Sequence, residues 1–203
     1  MVATKAQAPA KKLGLENSAT RAAVIEATER LIREQGFARI TSRLVAAEAG
    51  IKPPLIHYYF STMDDLYIEV FRRGVEADLE RLMAAVESED PLRAMWELSR
   101  DPIVIRFATE FMALANHNEA VRSEMTLYAE KRRAIQAEAI SRDLGARGVA
   151  PKIPPMVTAV LLENITRGLM LESALGISLG HAEVEAFLEA GIDTIEVRWA
   201  AVE

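Results

Sequence analysis

Residues 41–60 read TSRLVAAEAGIKPPLIHYYF. The stretch joins two short runs of helix-compatible residues through a glycine, an isoleucine, a lysine and two prolines. Thr41 or Ser42 can cap the first run, because a hydroxyl oxygen at the N-cap accepts a backbone N–H bond. Gly50 can end that run, and the two prolines suit the first turn of a helix, where no N–H donor is needed. The pattern predicts two short helices joined by a glycine turn, which is the helix-turn-helix arrangement.

The second of these helices has two faces with different chemistry. Ile56, Tyr59 and Phe60 are spaced i, i+3, i+4, so they share a face that can pack on the preceding helix. The other face carries Lys52, Pro54, Leu55, His57 and Tyr58. A helix of this size fits the major groove of B-DNA with its N-terminal residues near the base edges. The exposed residues of 52–58 would then lie near the base edges of a DNA duplex.

The sequence on either side of this motif is helical in pattern. An apolar stripe predicts a helix from about Ser18 to Gln35, which Gly36 is expected to end in the left-handed conformation, with Phe37 making the apolar contact of such a cap. Ser61-x-x-Asp64 and Thr62-x-x-Asp65 both resemble a capping arrangement. Later helices are predicted over about 62–87, 91–99, 103–116, 119–146, 155–176 and 181–199. Strand-like alternation is not sustained anywhere, so the predicted fold class is all-α with about nine helices.

Composition excludes several classes of protein. Half of the 203 residues are hydrophobic, which is enough for a sizeable core. There is no cysteine, hence no disulfide framework and no thiolate metal site. The N-terminus lacks the apolar segment of a secretory signal, and the apolar runs are too short to span a membrane. These features favour a cytoplasmic location.

Charge is distributed unevenly along the chain. The net charge is −6, but residues 1–60 carry nine Lys and Arg against five Glu, while the remainder carries 15 against 25 Asp and Glu. A basic first third on an acidic body indicates that a polyanion would meet the N-terminal part. Chance combined with a solvated tail is the alternative explanation.

Residues 46–67, AAEAGIKPPLIHYYFSTMDDLY, resemble the signature of the TetR family of bacterial transcriptional regulators. The resemblance covers about residues 20–80 in sequence, and the whole chain in length and helical layout. It implies a homodimer in which each N-terminal three-helix unit reads half of a pseudo-palindromic operator. It also implies a C-terminal helical domain that binds a small effector, which then releases the DNA.

Three positions depart from the family pattern. Lys52 and His57 stand where the family commonly has a serine and a tyrosine, and Met63 stands where it commonly has a lysine that meets phosphate. The change at Met63 removes one charge from the DNA face. The backbone N–H groups at that helix start can still bind a phosphate, with help from Thr62.

The resemblance and the patterns together predict three regions. These are a flexible basic arm over 1–17, the helix-turn-helix DNA-binding domain over 18–66, and the effector-binding and dimerisation domain over 67–203. Lys5, Lys11 and Lys12 of the arm could lie along phosphates, or the arm could be only a solubilising tail. The residues expected to contact DNA are Thr41, Ser42, Arg43, Lys52, Pro53, Pro54, Leu55, His57, Tyr58, Tyr59 and Thr62.

Aromatic residues and methionines of the body could form its core or line an apolar pocket between helices. The predicted effector-binding residues are Met95, Phe107, Phe111, Met125, Tyr128, Glu163, Asn164 and Met170. Glu163, Asn164 and Arg167 share a helix face and could orient a small, largely apolar effector, or belong to a dimer network. The predicted dimer interface comprises Leu171, Ala174, Leu175, Phe187, Leu188, Ile192 and Ile195.

No catalytic constellation stands out in the sequence. His181 and Glu183 would lie on different faces of a helix, and no other cluster has clear metal-ligand spacing. There is no glycine-rich phosphate loop and no nucleophile motif. We therefore expect no enzyme activity, no metal and no cofactor. The prediction is a DNA-binding regulator, most simply a repressor released by its effector; the alternative is a helical ligand-binding or scaffold protein that has lost DNA binding.

Overall fold

The computed structural model describes the backbone of residues 10–200 and the side chains of residues 18–37 and 39–192. Within that part of the chain it contains nine α-helices, one short 3-10 helix and no strand, which confirms the predicted all-α class. The α-helices are α1 (Ala10–Gln35), α2 (Ser42–Glu48), α3 (Pro54–Tyr59), α4 (Met63–Val86), α5 (Pro91–Ser99), α6 (Pro102–Ala115), α7 (Glu119–Ala146), α8 (Pro155–Ala174) and α9 (His181–Ala200). The 3-10 helix is Phe37–Arg39.

The first helix begins earlier than predicted. It starts at Ala10 rather than near Ser18, so residues 10–17 of the predicted flexible arm are helical in backbone. The run from Ala10 through Leu13 consists of strong helix formers, and it extends the helix toward the N-terminus. Residues 1–9, with Lys5, lie outside the described residues.

The chain divides into two compact units. The first holds the described residues up to Arg73 together with Glu110–Arg122, and the second holds Gly74–Thr109 and the described residues from Ser123 onward. The predicted domain boundary after residue 66 lies within the first unit, and α4, α6 and α7 each contribute residues to both units. The buried apolar core of the first unit includes Val24, Ala27, Leu31, Ile32, Val45, Ala46, Ile56, Phe60, Leu66, Val70, Phe71, Phe111 and Val121.

An aromatic cluster around Phe37 explains why a late segment belongs to the first unit. The Phe37 ring meets the rings of Tyr67 and Phe111 edge-on, at centroid distances of 5.0 and 4.9 Å. Its backbone N–H donates to Oε2 of Glu110 at 3.1 Å. Gly36 has φ 71° and ψ 170°, an extended conformation with positive φ that favours glycine, rather than the predicted left-handed helical one.

The second unit has its own apolar core between four helices. Its buried members come from α4, α5, α7 and α8: Leu82, Val86, Leu92, Met95, Leu98, Ala139, Ile140, Leu144 and Ala159. Among the described residues, no helix combines the length and the apolar character needed to cross a membrane.

Candidate DNA-binding surface and effector cleft

The turn between α2 and α3 is built by local hydrogen bonds. The Thr41 hydroxyl accepts the Leu44 N–H at 3.2 Å, so Thr41 is the N-cap of α2. Gly50 has φ 68°, and the N–H of Ile51 reaches back to the carbonyl of Ala46 at 2.9 Å. This is the Schellman end that glycine allows at low cost. The helix-turn-helix geometry is therefore present over the predicted residues.

Helix α3 buries one face and exposes the other. Ile56 and Phe60 are 1% and 3% exposed, as their spacing predicted. Tyr58 is 68% exposed and Leu55 37%, and the remaining predicted reading residues (Lys52, Pro53, Pro54 and His57) are also exposed. Tyr59 is half-buried, with its ring edge-on to Tyr58 at 5.1 Å. The exposed face is thus aromatic and polar with a single formal positive charge, that of Lys52.

Long-range contacts that the sequence did not reveal hold α3 in place. The guanidinium of Arg21 lies 5.0 Å above the Phe60 ring, and its Nη2 meets Oε2 of Glu69 at 2.6 Å. This hydrogen bond holds the pKa of Glu69 below its usual value, although partial burial opposes the shift. Arg30 similarly meets Glu48 at 3.1 Å and ties α1 to α2. Arg21 and Glu69 are 48 positions apart, so no local pattern could pair them.

The start of α4 is a capping box formed by Thr62 and Asp65. The Thr62 hydroxyl accepts the Asp65 N–H at 3.1 Å, and Oδ2 of Asp65 accepts the Thr62 N–H at 2.9 Å. Of the two predicted capping arrangements, these bonds form the second. Both N–H groups are thereby occupied, and the exposed carboxylates of Asp64 and Asp65 lie at the helix start. This terminus therefore suits a phosphate less well than the sequence suggested.

The other predicted DNA contacts surround the motif. Thr41 and Arg43 are exposed and Ser42 is half-buried at the start of α2, while Thr62 is exposed at the start of α4. Met63 is half-buried. The side chains of Lys11 and Lys12 lie outside the described residues, so the role of the arm stays a prediction.

The second unit contains a shallow cleft that is open to solvent. Three of its lining residues, Val104, Ile105 and Ala108, come from α6 and form an apolar wall. The rest of the lining is polar or charged and comes from α5, α7 and α8: Ser99, Tyr128, Arg132, Glu163 and Arg167.

Asp78 stands behind one side of this cleft and binds two of the lining residues. Its Oδ2 accepts the Tyr128 hydroxyl at 2.5 Å and the Arg132 Nε at 3.1 Å. Burial, followed by the nearby Asp78 charge, raises the pKa of Tyr128 far above its usual value, so the phenol stays protonated. Burial acts to lower the pKa of Arg132, but Asp78, Tyr128 and Glu163 more than offset it, so Arg132 stays charged.

Glu163 is shared between two further arginines. Its Oε2 meets Nε of Arg133 at 3.3 Å, and its Oε1 accepts from Nη2 of Arg167. Together with the Asp78–Arg132 pair, this places two carboxylates and three guanidinium groups on α4, α7 and α8. Among the described residues, no group of three His, Asp or Glu side chains is placed to hold a metal ion.

Only part of the predicted effector set lies at this cleft. Tyr128 and Glu163 line it, while Met125 and Met170 are half-buried elsewhere. The others are accounted for by packing or by exposure. Met95 is 2% exposed in the core of the second unit, Phe111 belongs to the first unit, and Asn164 is exposed and donates to the Val160 carbonyl at 2.7 Å.

Phe107 is buried by a close approach to Gly74. A Cβ atom on Gly74 would lie 2.6 Å from Cζ of this ring, so the glycine makes room for it. The residues that the sequence did not assign to the cleft are Ser99, Val104, Ile105, Ala108 and Arg132, while Arg167 was noted only for sharing a face with Glu163.

The predicted dimer residues fall into two groups. Four of them are exposed: Leu171 and Ala174 on α8, Leu175 at its C-cap and Phe187 on α9, with Leu175 at 79% and Phe187 at 77%. Leu188 is half-buried, and Ile192 packs against the core of the second unit. The Ile195 side chain lies outside the described residues.

Curated relatives of this chain are regulators. It is 26% identical over 194 residues to the HTH-type transcriptional regulator BetI of Rhizobium meliloti (strain 1021), covering 90% of this chain and 95% of that protein. It is 27% identical over 188 residues to BetI of Agrobacterium fabrum (strain C58), covering 88% and 90%.

Solved structures share the fold. A TetR transcription regulator from Haloarcula marismortui superposes with a TM-score of 0.69 at 20% identity, covering 91% of this chain and 98% of that one. A transcriptional regulator from Saccharomonospora viridis, solved in complex with choline, gives 0.74 at 22% identity, covering 85% and 96%.

The family model that matches is that of the bacterial regulatory proteins of the tetR family, over residues 24–70. These residues contain the whole helix-turn-helix and the start of α4. The family consists of regulators and not of enzymes. The chain therefore carries the helix-turn-helix region of the tetR family over residues 24–70 and is a helix-turn-helix DNA-binding transcriptional regulator similar to BetI.

Proposed function

We propose that the protein is a homodimeric repressor that leaves its operator when a small effector binds in the cleft of the second unit. The observation that carries this proposal is the exposed face of α3, which is held outward by the buried Ile56 and Phe60. A short helix anchored on one face and presenting aromatic and polar groups on the other suits the major groove.

The solvent exposure of each side chain in the helix-turn-helix indicates which part of the DNA it is proposed to contact. The exposed residues in and around α3 are proposed to contact base edges and the neighbouring sugar-phosphate backbone of the DNA. They are Lys52 to Leu55, His57 and Tyr58. Arg43 and Thr41, at the start of α2, are proposed to bind phosphates, with Ser42 beside them. Tyr59 is half-buried and contributes mainly by supporting Tyr58. Phosphate contacts supply affinity, whereas base contacts supply sequence discrimination.

Effector release requires unequal affinity for two states of the dimer. Recognition helices of a dimer must meet successive major grooves about 34 Å apart, and an effector that favours another spacing lowers operator affinity. The choline in the Saccharomonospora viridis structure supports the proposal that a protein of this fold binds a small organic molecule. In this chain the cleft beside Tyr128 and Glu163 is the proposed site.

Exposed apolar side chains on α8 and α9 support dimerisation. Leu161 is 48% exposed, Leu171 39%, and Leu175 and Phe187 more than three quarters. Apolar side chains gathered on adjoining helices mark an interaction surface, and an isologous contact of two helices from each protomer would cover them. Ile192 contributes to the core of its own protomer instead.

Substitution of Tyr58 by alanine is expected to weaken operator binding about tenfold or more, because base and backbone contacts in the groove each contribute about 1–3 kcal/mol. The melting temperature should stay unchanged, since the side chain is 68% exposed. A gel-shift titration against an operator selected from the DNA flanking the gene measures the effect. Leu127→Ala, at a 66% exposed residue of α7, is the matched control. Equal binding by both variants would show that α3 presents a different face.

Substitution of Met63 by lysine is expected to strengthen DNA binding across sequences. The added charge would offset Asp64 and Asp65 at the start of α4 and could reach a phosphate. Each new phosphate contact steepens the dependence of log K on log salt by roughly 0.9, so about one unit per protomer is expected. Met83→Lys adds the same charge to α4 in the second unit and should change the slope little. A slope unchanged in Met63→Lys would place residue 63 away from the DNA backbone.

A further inference from the structure

Charge at the cleft is unevenly matched. Two guanidinium groups, those of Arg132 and Arg167, line the cleft together with a single carboxylate, that of Glu163. We propose that the effector of this protein is a small organic anion, a carboxylate with a short apolar part. This inference rests on the proposed function, because it names the chemical class of ligand for that same cleft.

Arg132 is the residue that points to an anion most directly. Its side chain is 6% exposed, yet it lines the cleft and carries a full charge. Its hydrogen bond to Asp78 is made by Nε alone, and the pair is not bidentate, because Oδ1 of Asp78 accepts no hydrogen bond. The planar fork of a guanidinium matches a carboxylate in two-point contact, so the terminal nitrogens of Arg132 suit a ligand carboxylate.

Glu163 is poorly placed to bind a cation instead. Both of its oxygens already meet guanidinium groups, one from Arg133 and one from Arg167. A ligand ammonium group would have to displace one of these arginines or lie beside their positive charges. An anion would face the opposite situation, since two guanidinium groups, those of Arg132 and Arg167, line the cleft and can each donate a charge-assisted hydrogen bond.

The apolar wall of the cleft indicates the chemistry of the remainder of the ligand. The cleft is also lined by three apolar residues of α6, Val104, Ile105 and Ala108, which offer surface for a short hydrocarbon portion. The Tyr128 hydroxyl donates to Asp78, and the Ser99 hydroxyl donates to the Trp96 carbonyl at 2.7 Å. Both hydroxyl protons are therefore engaged within the protein, which leaves the guanidinium groups as the main donors to a ligand.

Calorimetric titration of the DNA-free protein with matched probes tests the proposal. The probes are straight-chain carboxylates from acetate to octanoate, the primary alcohols of the same lengths, the alkyltrimethylammonium ions, and choline. At least one carboxylate should bind about tenfold or more tightly than its alcohol, because charge-assisted hydrogen bonds are stronger than neutral ones. Tighter binding of choline or of an alkylammonium ion, or no preference for any carboxylate over its alcohol, would overturn it.

Two variants tie the result to the cleft. Arg167→Gln should weaken carboxylate binding about tenfold and leave alcohol binding nearly unchanged, since Glu163 keeps Arg133 as a partner. Arg81→Gln removes an arginine of the same unit that pairs with Asp101 at 2.7 Å and does not line the cleft, so carboxylate affinity should stay as in the parent protein. Equal losses in both variants would contradict the assignment of the anion to this cleft.

The double variant Asp78→Leu, Arg132→Leu removes the buried pair together and should abolish the preference for carboxylate over alcohol. Retention of the preference in that variant would overturn the role of Arg132. These titrations contain no DNA, so their results do not depend on whether the protein binds an operator in the gel-shift test. Absence of operator binding would refute the repressor function and leave the inferred ligand class unaffected. Absence of a preference for carboxylates would refute the ligand class and leave the repressor function unaffected.

Discussion

Substitution of Asp78 by leucine is expected to lower the free energy of unfolding by about 3–5 kcal/mol, because removal of one partner leaves a buried charge uncompensated. Arg132 is 5% exposed and would lose its hydrogen-bonded carboxylate, and the Tyr128 hydroxyl would lose its acceptor. Replacing both Asp78 and Arg132 by leucine should recover most of that loss, since a buried ion pair exchanged for apolar residues is often close to neutral. Urea denaturation followed by circular dichroism measures both variants.

An exposed pair in the same unit provides the control for this comparison. Arg81 meets Asp101 at 2.7 Å, but its side chain is 49% exposed. Arg81→Leu should therefore cost at most about 1 kcal/mol. If the double leucine variant were as unstable as Asp78→Leu alone, the cost would come from shape or volume at position 78 rather than from the unpaired Arg132.

The paired substitutions Leu175→Glu and Phe187→Glu are expected to raise the dimer dissociation constant at least about 100-fold, because central apolar contacts of an interface each contribute about 2 kcal/mol or more. A two-fold axis would also bring the new carboxylates of both protomers near one another. Both side chains are more than three quarters exposed, so the fold of each protomer should persist. Light scattering coupled to size-exclusion chromatography measures the dimer.

Leu127→Glu is the matched control, since Leu127 is 66% exposed on α7, outside the proposed interface. It should leave the dimer intact. Operator affinity should fall together with dimerisation, because a monomer meets only one half-site. A paired variant that remains dimeric would place the interface on another surface.

The helix-turn-helix was predictable because its determinants are local. Thr41 caps α2 through an acceptor three residues from its donor, Gly50 supplies the positive φ of the turn, and Thr62 pairs with Asp65. Each of these depends on the chemistry of neighbouring residues, which the sequence displays directly. The burial of Ile56 and Phe60 followed from helical spacing for the same reason.

The lining of the cleft that we propose as the effector site was predictable only in small part. Residue type indicated that Met95 and Phe111 are apolar, and apolar side chains fill cores and line pockets equally well. Whether such a residue is buried in a core or lines a pocket depends on which helix packs against it. Met95 faces the core of the second unit, and Phe111 packs with Phe37 in the first.

The sequence by itself determined the fold class, the family motif and the face that α3 turns outward, because caps, glycine turns and helical periodicity act over a few residues. Only the tertiary structure decided that Arg132 meets Asp78, and that Arg133 and Arg167 share Glu163. Arg132 and Asp78 lie 54 positions apart, and burial and pairing of charges at such a separation arise from how helices pack. That packing produced the surplus of positive charge from which the ligand class is inferred.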